Sequence, residues 1–324
     1  MKKESALIRI LRSKSSTLLG AIVVIILFFY ILNPAYLSGN NIRSMMNAMS
    51  LSGMLCVGVA VLLICGEVDL ATGAEAMFGG IVCGMCLDAG MPIVVSILFA
   101  LAFGALAGLI NALLINVLNL MSFIASIGMS SVYTGLALYL TAGVGVNVSG
   151  RFLVLGTTAL FGVIPTPFIV MIGLMCIYGF ILRYTNIGRT AYMVGGNRAA
   201  ARLTGINPKK VTTIMFINNG MIAALAGVLL ASRMHAARPS AAASGALDAI
   251  TASVLGGVSF AGGVGGMGGC LIGLLLMNTF VNGLIGAGLS TYYQLVAQGV
   301  LLMIALSVDY FNERARQRRL LAES

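Results

Sequence analysis

From its first residues the chain alternates long apolar runs with short polar, glycine or proline breaks. The runs cover residues 17–32, 43–65, 71–88, 92–118, 122–142, 166–184, 211–233, 247–262, 265–286 and 291–311. Most approach the roughly 20 apolar residues that let a helix cross the hydrocarbon core of a bilayer. The pattern predicts an all-α polytopic membrane protein of about ten transmembrane helices. The run 247–262 is the exception. It is short, opens on Asp248 and closes on Gly262-Gly263, and is expected as a broken or partly inserted helix. Pro34, Pro92, Pro165, Pro167, Pro208 and Pro239 all fall at or beyond run ends, where a missing N–H does little harm. The longest outer break, 143–165, is too short for a catalytic soluble domain. The chain reads as one membrane domain over residues 1–324, with a tail at 1–16, a loop at 185–210 and a tail at 312–324.

Composition agrees. Hydrophobic residues make up 59% of the chain and charged residues 9%, with mean hydropathy +1.03; an ordinary soluble domain carries roughly 25% charged residues. Charge also orients the spans, because Lys and Arg are retained on the cytoplasmic side. Of the 19 basic residues, five precede the first run, six lie from Arg183 to Lys210 and four from Arg314 to Arg319. Six crossings and then four would put all three clusters inside. The N-terminus, the 185–210 loop and the C-terminus are therefore expected in the cytoplasm, with Arg43, Arg151, Arg233 and Arg238 outside. The net charge of +10 does not point to nucleic acid, because the basic residues flank apolar runs and form no stripe with interleaved aromatics. Lys2, Lys3, Arg9, Arg12 and Lys14 before an apolar run resemble a signal peptide. Asn33-Pro34 follows with no small-x-small cleavage site, so this run is expected as the first span.

Little in the sequence is suited to catalysis. His235 is the only histidine, and the six cysteines lie in apolar runs. Cys83 and Cys86 form a CxxC without a second pair, so helix packing is their expected role and no metal site is expected. The glycines of 245–273 do not make a phosphate loop, since GxxxxGK[ST] needs a Lys and none stands between Arg238 and Arg314. Gly265, Gly269 and Gly273, four apart, fit close helix packing instead. This chain is expected to bind no cofactor.

Three segments carry candidate chemistry. In 185–210, Asn197 is placed to cap a short helix over Arg198–Leu203, and Gly205 to end it in the left-handed conformation. Ala199, Ala200 and Leu203 would share a small apolar face, with Arg198 and Arg202 on another. Such a helix suits docking into a soluble partner; the bland reading is a basic cytoplasmic loop. In 64–80, Glu67, Asp69 and Glu75 sit between two apolar runs without a basic neighbour in sequence. They suggest either a broken helix lining a solute path or a capped interfacial turn, with Asp69 as the cap and Leu70–Thr72 as the first turn. In 245–273, Asp248 is placed to cap a helix in the same way, a weak echo of the first acidic segment. Asn47, Asn111, Asn218, Asn219, Asn278, Asn282 and Gln298 lie inside runs, where they either face a path or bond between helices.

Together these segments resemble the permease subunits of bacterial monosaccharide ABC importers, the ribose, xylose and autoinducer-2 group of the branched-chain amino acid permease superfamily. Cys65-Gly66-Glu67-Val68-Asp69-Leu70-Ala71-Thr72-Gly73 stands where the family has a motif close to GGIDLSxG. The cytoplasmic motif resembling GRxxYAxGGNxxAARLSGI is matched from Gly188-Arg189 through Tyr192, Gly195-Gly196-Asn197, Ala200-Ala201-Arg202-Leu203 and Gly205-Ile206. Ala246-Leu247-Asp248-Ala249-Ile250 through Gly256-Gly257 is similar to the family's ELDAIAAVVLGG, and Ser290 to Gln294 fits its ending. The resemblance covers about residues 40–311. Glu67 replaces an apolar residue, Ala246 replaces an acid, and Gly266 and Met267 stand where the family often has a basic or polar residue. These departures bear on the solute more than on the fold.

The resemblance implies an importer with a second permease subunit, identical or homologous, two cytoplasmic ATP-binding-cassette ATPase domains and a periplasmic solute-binding protein, all working in membrane lipid. It implies that Gly195, Gly196, Asn197, Arg198, Ala200, Arg202, Leu203 and Gly205 couple to the ATPase. Glu67, Asp69, Asn47, Asn218, Asn219 and Asp248 are the candidate path residues. A monosaccharide is the leading solute, with a nucleoside or a branched-chain amino acid as alternatives. A proton-driven transporter using Glu67, Asp69 or Glu75 is the rival mechanism. A membrane-embedded enzyme fits poorly, with one histidine and no Ser-His-Asp set.

Overall fold

The computed structural model describes residues 14–323. Lys2, Lys3, Arg9 and Arg12, with most of the 1–16 tail, lie outside the described residues. Helix α1 (Lys14–Leu32) passes through a turn capped by Asn33, whose side chain accepts from the Ala35 N–H at 3.0 Å, into α2 (Gly39–Ile64). There follow α3 (Thr72–Asp88), α4 (Ile93–Asn116) and α5 (Ser122–Thr141). A short outer segment holds β1 (Val146–Asn147), α6 (Val154–Thr157) and the small hairpin of β2 (Ala159–Leu160) and β3 (Ile164–Pro165). The chain continues with α7 (Thr166–Tyr184), α8 (Asn186–Gly196), α9 (Arg198–Leu203) and α10 (Pro208–Met234). Strand β4 (Ala236–Ala237) pairs antiparallel with β1, Val146 opposite Ala237, which ties the outer segment to the end of α10. Helices α11 (Gly245–Leu255), α12 (Met267–Gly286) and α13 (Thr291–Glu323) complete the order.

Six of these helices, α2, α4, α5, α7, α10 and α12, are long and apolar enough to cross a membrane. They divide by burial. In the most apolar stretch of α2 and α10, 83% and 72% of residues are buried, against 22–39% in the other four. Helices α2 and α10 therefore form the core, and the others present large apolar side chains outward, such as Val94 at 68% and Ile124 at 60% exposure. In water such surface would promote association; in lipid tails it meets a like solvent. The core packs through small residues. A Cβ on Gly227 of α10 would lie 1.6 Å from the Ala76 carbonyl oxygen of α3, and one on Gly220 would lie 2.1 Å from the Gly104 oxygen of α4. Backbones this close gain dispersion contact that larger side chains would forbid.

The apolar runs and the helices coincide apart from four differences. The run 247–262 overlaps a helix of only 11 residues that starts at Gly245, and the chain from Gly256 to Gly266 is non-helical, as a broken span would require. Helix α13 continues well past 311, so residues 312–323 extend a helix. The 185–210 loop holds two helices; α8 was not legible because its apolar positions are few and its Gly195-Gly196 ending reads as a break. Helix α3 starts at Thr72 with Ala71 in the capping place, not at Leu70 with Asp69 as its cap. Asp69 acts two residues earlier, where its Oδ1 accepts from the Ala71 N–H at 2.8 Å and shapes the turn that precedes the helix.

Candidate functional site

The segment α8–α9 is capped at every end by its own sequence. Thr185 Oγ1 accepts from the Gly188 N–H at 3.3 Å, and Asn197 Oδ1 accepts from the Ala199 and Ala200 N–H groups at 2.9 and 3.0 Å. Gly205 closes the turn at φ +83°, and Asn207 caps α10 by accepting from the Lys210 N–H. The local expectations for Asn197, Arg198–Leu203 and Gly205 agree with these observations. Only Ala201 of α9 is buried; Ala199, Ala200 and Arg202 are exposed, and Leu203 is 90% exposed. A leucine held open on a capped helix is a surface with a stable shape and no partner within the described residues.

Two other coupling candidates, Gly195 and Arg198, reach the rest of the fold. A Cβ on Gly195 would lie 1.9 Å from the Ile64 carbonyl oxygen, so α8 ends directly against the end of α2. The same Ile64 oxygen accepts from the Gly263 N–H at 2.8 Å, and the Tyr192 hydroxyl donates to the Gly265 oxygen at 2.7 Å. Thus α8, the last turn of α2 and the 262–265 turn below α11 form one contact. Arg198 pairs with Glu67 in the turn after α2. The acidic segment, without a basic neighbour in sequence, has one in space.

The candidate path residues fall in separate places. Asp69 and Asn219 meet in a sealed cluster with Thr72, Glu75 and Asn111, every member fully buried. Asn219 Nδ2 donates to Asp69 Oδ2 at 3.1 Å and to Thr72 Oγ1 at 2.9 Å. Asn111 Nδ2 reaches Glu75 Oε1 at 3.0 Å and Asp69 Oδ2 at 3.4 Å. Asn218, one residue from Asn219, turns the other way and accepts from the Tyr178 hydroxyl. The Asn47 main-chain oxygen accepts from Arg233 Nη1 at 2.6 Å.

Two of the six line sizeable open cavities: Glu67 one of about 380 Å³, beside Asn116, Arg198 and Arg202, and Asp248 another. This space of about 410 Å³ lies between α2, α11, α12 and α13, with Ser52, Ser240, Ser244, Asn278 and Gln298 on its wall. Asp248 is the fourth residue of α11 and not its cap, and Ser244 Oγ donates to its Oδ2 at 3.0 Å. Asn278 and Gln298 stood out in the sequence as polar groups inside apolar runs. Ser52 did not, because a serine in a membrane helix commonly bonds its own backbone, as Ser52 does to Ala48 O at 3.2 Å, and Ser240 did not because it lies in the turn before α11, outside every apolar run. The cavity offers hydroxyl, amide and carboxylate groups against an apolar wall, a lining that suits a small polyhydroxylated molecule.

Comparison with known proteins gives the same direction. Residues 41–306 match the family model described as the permease component of branched-chain amino acid transport systems. The chain is similar to a ribose import permease protein of Bacillus subtilis (strain 168), 37% identical over 300 residues, covering 91% of this chain and 92% of that protein. It is 30% identical over 360 residues to a xylose transport system permease protein of Haemophilus influenzae, covering 92% and 96%. It is 32% identical over 304 residues to an L-arabinose ABC transporter permease protein of Azospirillum brasilense, covering 93% and 89%. No solved structure matches the chain.

Proposed function

The chain belongs to the family of branched-chain amino acid transport system permease components, and on that premise we propose that it is the membrane-spanning subunit of an ATP-driven monosaccharide importer in the bacterial inner membrane. Relatives named for ribose, xylose and arabinose put a pentose first among the solutes. The six long apolar helices are joined in this reading by α1, α3, α13 and the half-length α11, giving about ten crossings with both termini cytoplasmic. ATP and Mg act on a separate cassette ATPase that docks on α9. A periplasmic binding protein delivers the sugar, and a second permease subunit completes the core.

The observation that carries the reading is the exposed, capped α9 on a segment whose other side touches α2 and the turn below α11. Closure of the ATPase pair displaces α9. Rigid α8 passes the motion through Gly195 to Ile64 and through Tyr192 to Gly265. Helices α11 and α12 then shift, and the cavity around Asp248 changes the side to which it opens. Access alternates because two packings of rigid helices exchange, each favoured in turn by the ATPase state.

The test uses proteoliposomes holding the permease with its ATPase and binding protein. Ala200→Trp and Leu203→Asp should insert and melt as the parent does, because both positions are exposed. Each should lower ATPase retention and sugar uptake at least tenfold, since overpacking a contact costs about 1–3 kcal/mol and burying an unpaired charge costs more. Arg198→Gln should have a milder effect. Normal coupling in both face variants, or uptake driven by a proton gradient without ATP, would overturn the proposal.

A further inference from the structure

A larger open cavity, of about 740 Å³, lies between the α7–α8 junction and the start of α12. The mechanism above makes no use of it. Arg183 and Arg189 line it together with Tyr184 and Tyr192, and its floor is the backbone of Gly266 and Gly268. Arg183 stacks 5.5 Å from the Tyr184 ring, and Arg189 bonds the Asn186 side chain. Neither arginine forms an ion pair among the described residues, where Arg198–Glu67 is the pair present. The floor is also electropositive. Helix α12 begins at Met267 without a side-chain cap, so the N–H groups of its first turn point out unsatisfied and carry the positive end of its dipole. The glycines leave this end open, for a Cβ on Gly266 or Gly268 would meet nothing within 4 Å.

From this arrangement we infer that the Arg183–Arg189 cavity at the uncapped start of α12 binds a phosphate group, carried by the headgroup of an acidic phospholipid. Two guanidinium groups and a helix N-terminus converge on one space, which is the donor set a phosphodiester uses. The adjoining outer face of α7 supplies the place for acyl chains. Ile177, Phe180 and Tyr184 are 56%, 60% and 59% exposed and follow one another up the same side of the helix to the cavity mouth. A headgroup with its own ammonium would bring a positive charge against the two arginines, so the site selects acidic over zwitterionic lipid. The bound lipid would clamp α8 to α12, because Tyr192, on the cavity wall, already holds the Gly265 oxygen. The inference rests on the cavity's chemistry and does not require the importer reading.

Native mass spectrometry of the delipidated permease, titrated with phosphatidylglycerol, phosphatidylcholine or inorganic phosphate, tests it. Phosphatidylglycerol should bind at least tenfold more tightly than phosphatidylcholine, and millimolar phosphate should not displace it. The double variant Arg183→Gln, Arg189→Gln should lose at least tenfold in phosphatidylglycerol affinity. Gly268→Glu is the control against misfolding: its side chain enters open space, and an acid in the first turn suits the helix, so the melting temperature should hold while the lipid is lost. Equal retention of phosphatidylglycerol by the parent and both variants would overturn the site. Equal binding of the two lipids, or displacement by phosphate, would overturn the acidic lipid as its ligand.

Discussion

Two stretches of this chain place an acid at the start of a small-residue helical segment followed by paired glycines: Asp69 ahead of α3, with Gly79-Gly80 inside that helix, and Asp248 in α11, with Gly256-Gly257 just past its end. In sequence they look alike. In the fold, Asp69 is fully buried and ringed by donors from Ala71, Asn111 and Asn219, whereas Asp248 is half-buried, held by one serine hydroxyl and open to a cavity. The difference comes from what each helix packs on. Helix α3 lies on α10 at distances that only glycine and alanine allow, which leaves no space beside Asp69. Helix α11 is half the length of a span, so the space beyond its first residues is left to side chains from α2, α12 and α13. The same local pattern serves in one place inside the packed core and in the other on the wall of an open cavity.

The hardest test of this contrast replaces both acids by leucine. Asp69→Leu leaves the Ala71 N–H without its acceptor and takes one of two acceptors from each of Asn111 and Asn219 in a sealed interior; a lost buried acceptor costs about 1–3 kcal/mol, so the total loss should be on the order of 3 kcal/mol. Asp248→Leu strands one serine hydroxyl beside an open cavity and should cost about 1 kcal/mol or less. Melting temperature and the monodisperse fraction in detergent read the two directly. Equal losses would mean that the sealed cluster does not carry the core.

The next effect separates transport from folding. Asp248→Asn keeps the size of the side chain and an acceptor for Ser244 but removes the charge. A hydrogen bond to a charged group is worth about 1.5–3 kcal/mol against about 0.5–1.5 for a neutral one. Sugar uptake should therefore fall about tenfold, the equivalent of roughly 1.4 kcal/mol, with the melting temperature unchanged. Uptake in proteoliposomes at parental rates would remove Asp248 from the solute path.

Much of the scaffold was legible in the sequence because lipid demands it. Every span must satisfy its own backbone, so apolar runs, prolines and caps mark the helices, and Asn197 and Gly205 mark α9 to the residue. The division between Asp69 and Asp248 was not legible, since it depends on which surfaces meet. Asn218 and Asn219 show the limit most plainly. They are adjacent in one helix, yet Asn219 bonds the Asp69 cluster and Asn218 the Tyr178 hydroxyl of α7. Neighbours in a helix point about 100° apart, and no single-residue reading says which of the two directions holds the acid. Glu67 was unreadable for another reason: its partner, Arg198, lies 131 residues away.

Glu67 also sets the smallest expected effect, and it sharpens the comparison because it belongs to the acidic stretch without belonging to the sealed cluster. Its carboxylate is 5% exposed, but Arg198 is 46% exposed and partly screened by water. Such a pair contributes at most about 1 kcal/mol, so Glu67→Gln should leave the melting temperature within a degree or two of the parent. What it should change is the tether between the turn after α2 and the start of α9. With the ion pair reduced to a hydrogen bond from Arg198 to a neutral amide, α9 moves more freely against α2. Basal ATP hydrolysis by the assembled transporter should then rise about two- to fivefold, while the sugar-stimulated rate stays near the parent's. Arg198→Gln should give the same shift, because either change removes the same ion pair. A fall in stability as large as that of Asp69→Leu would place Glu67 inside the core cluster and erase the distinction between the turn and the sealed site.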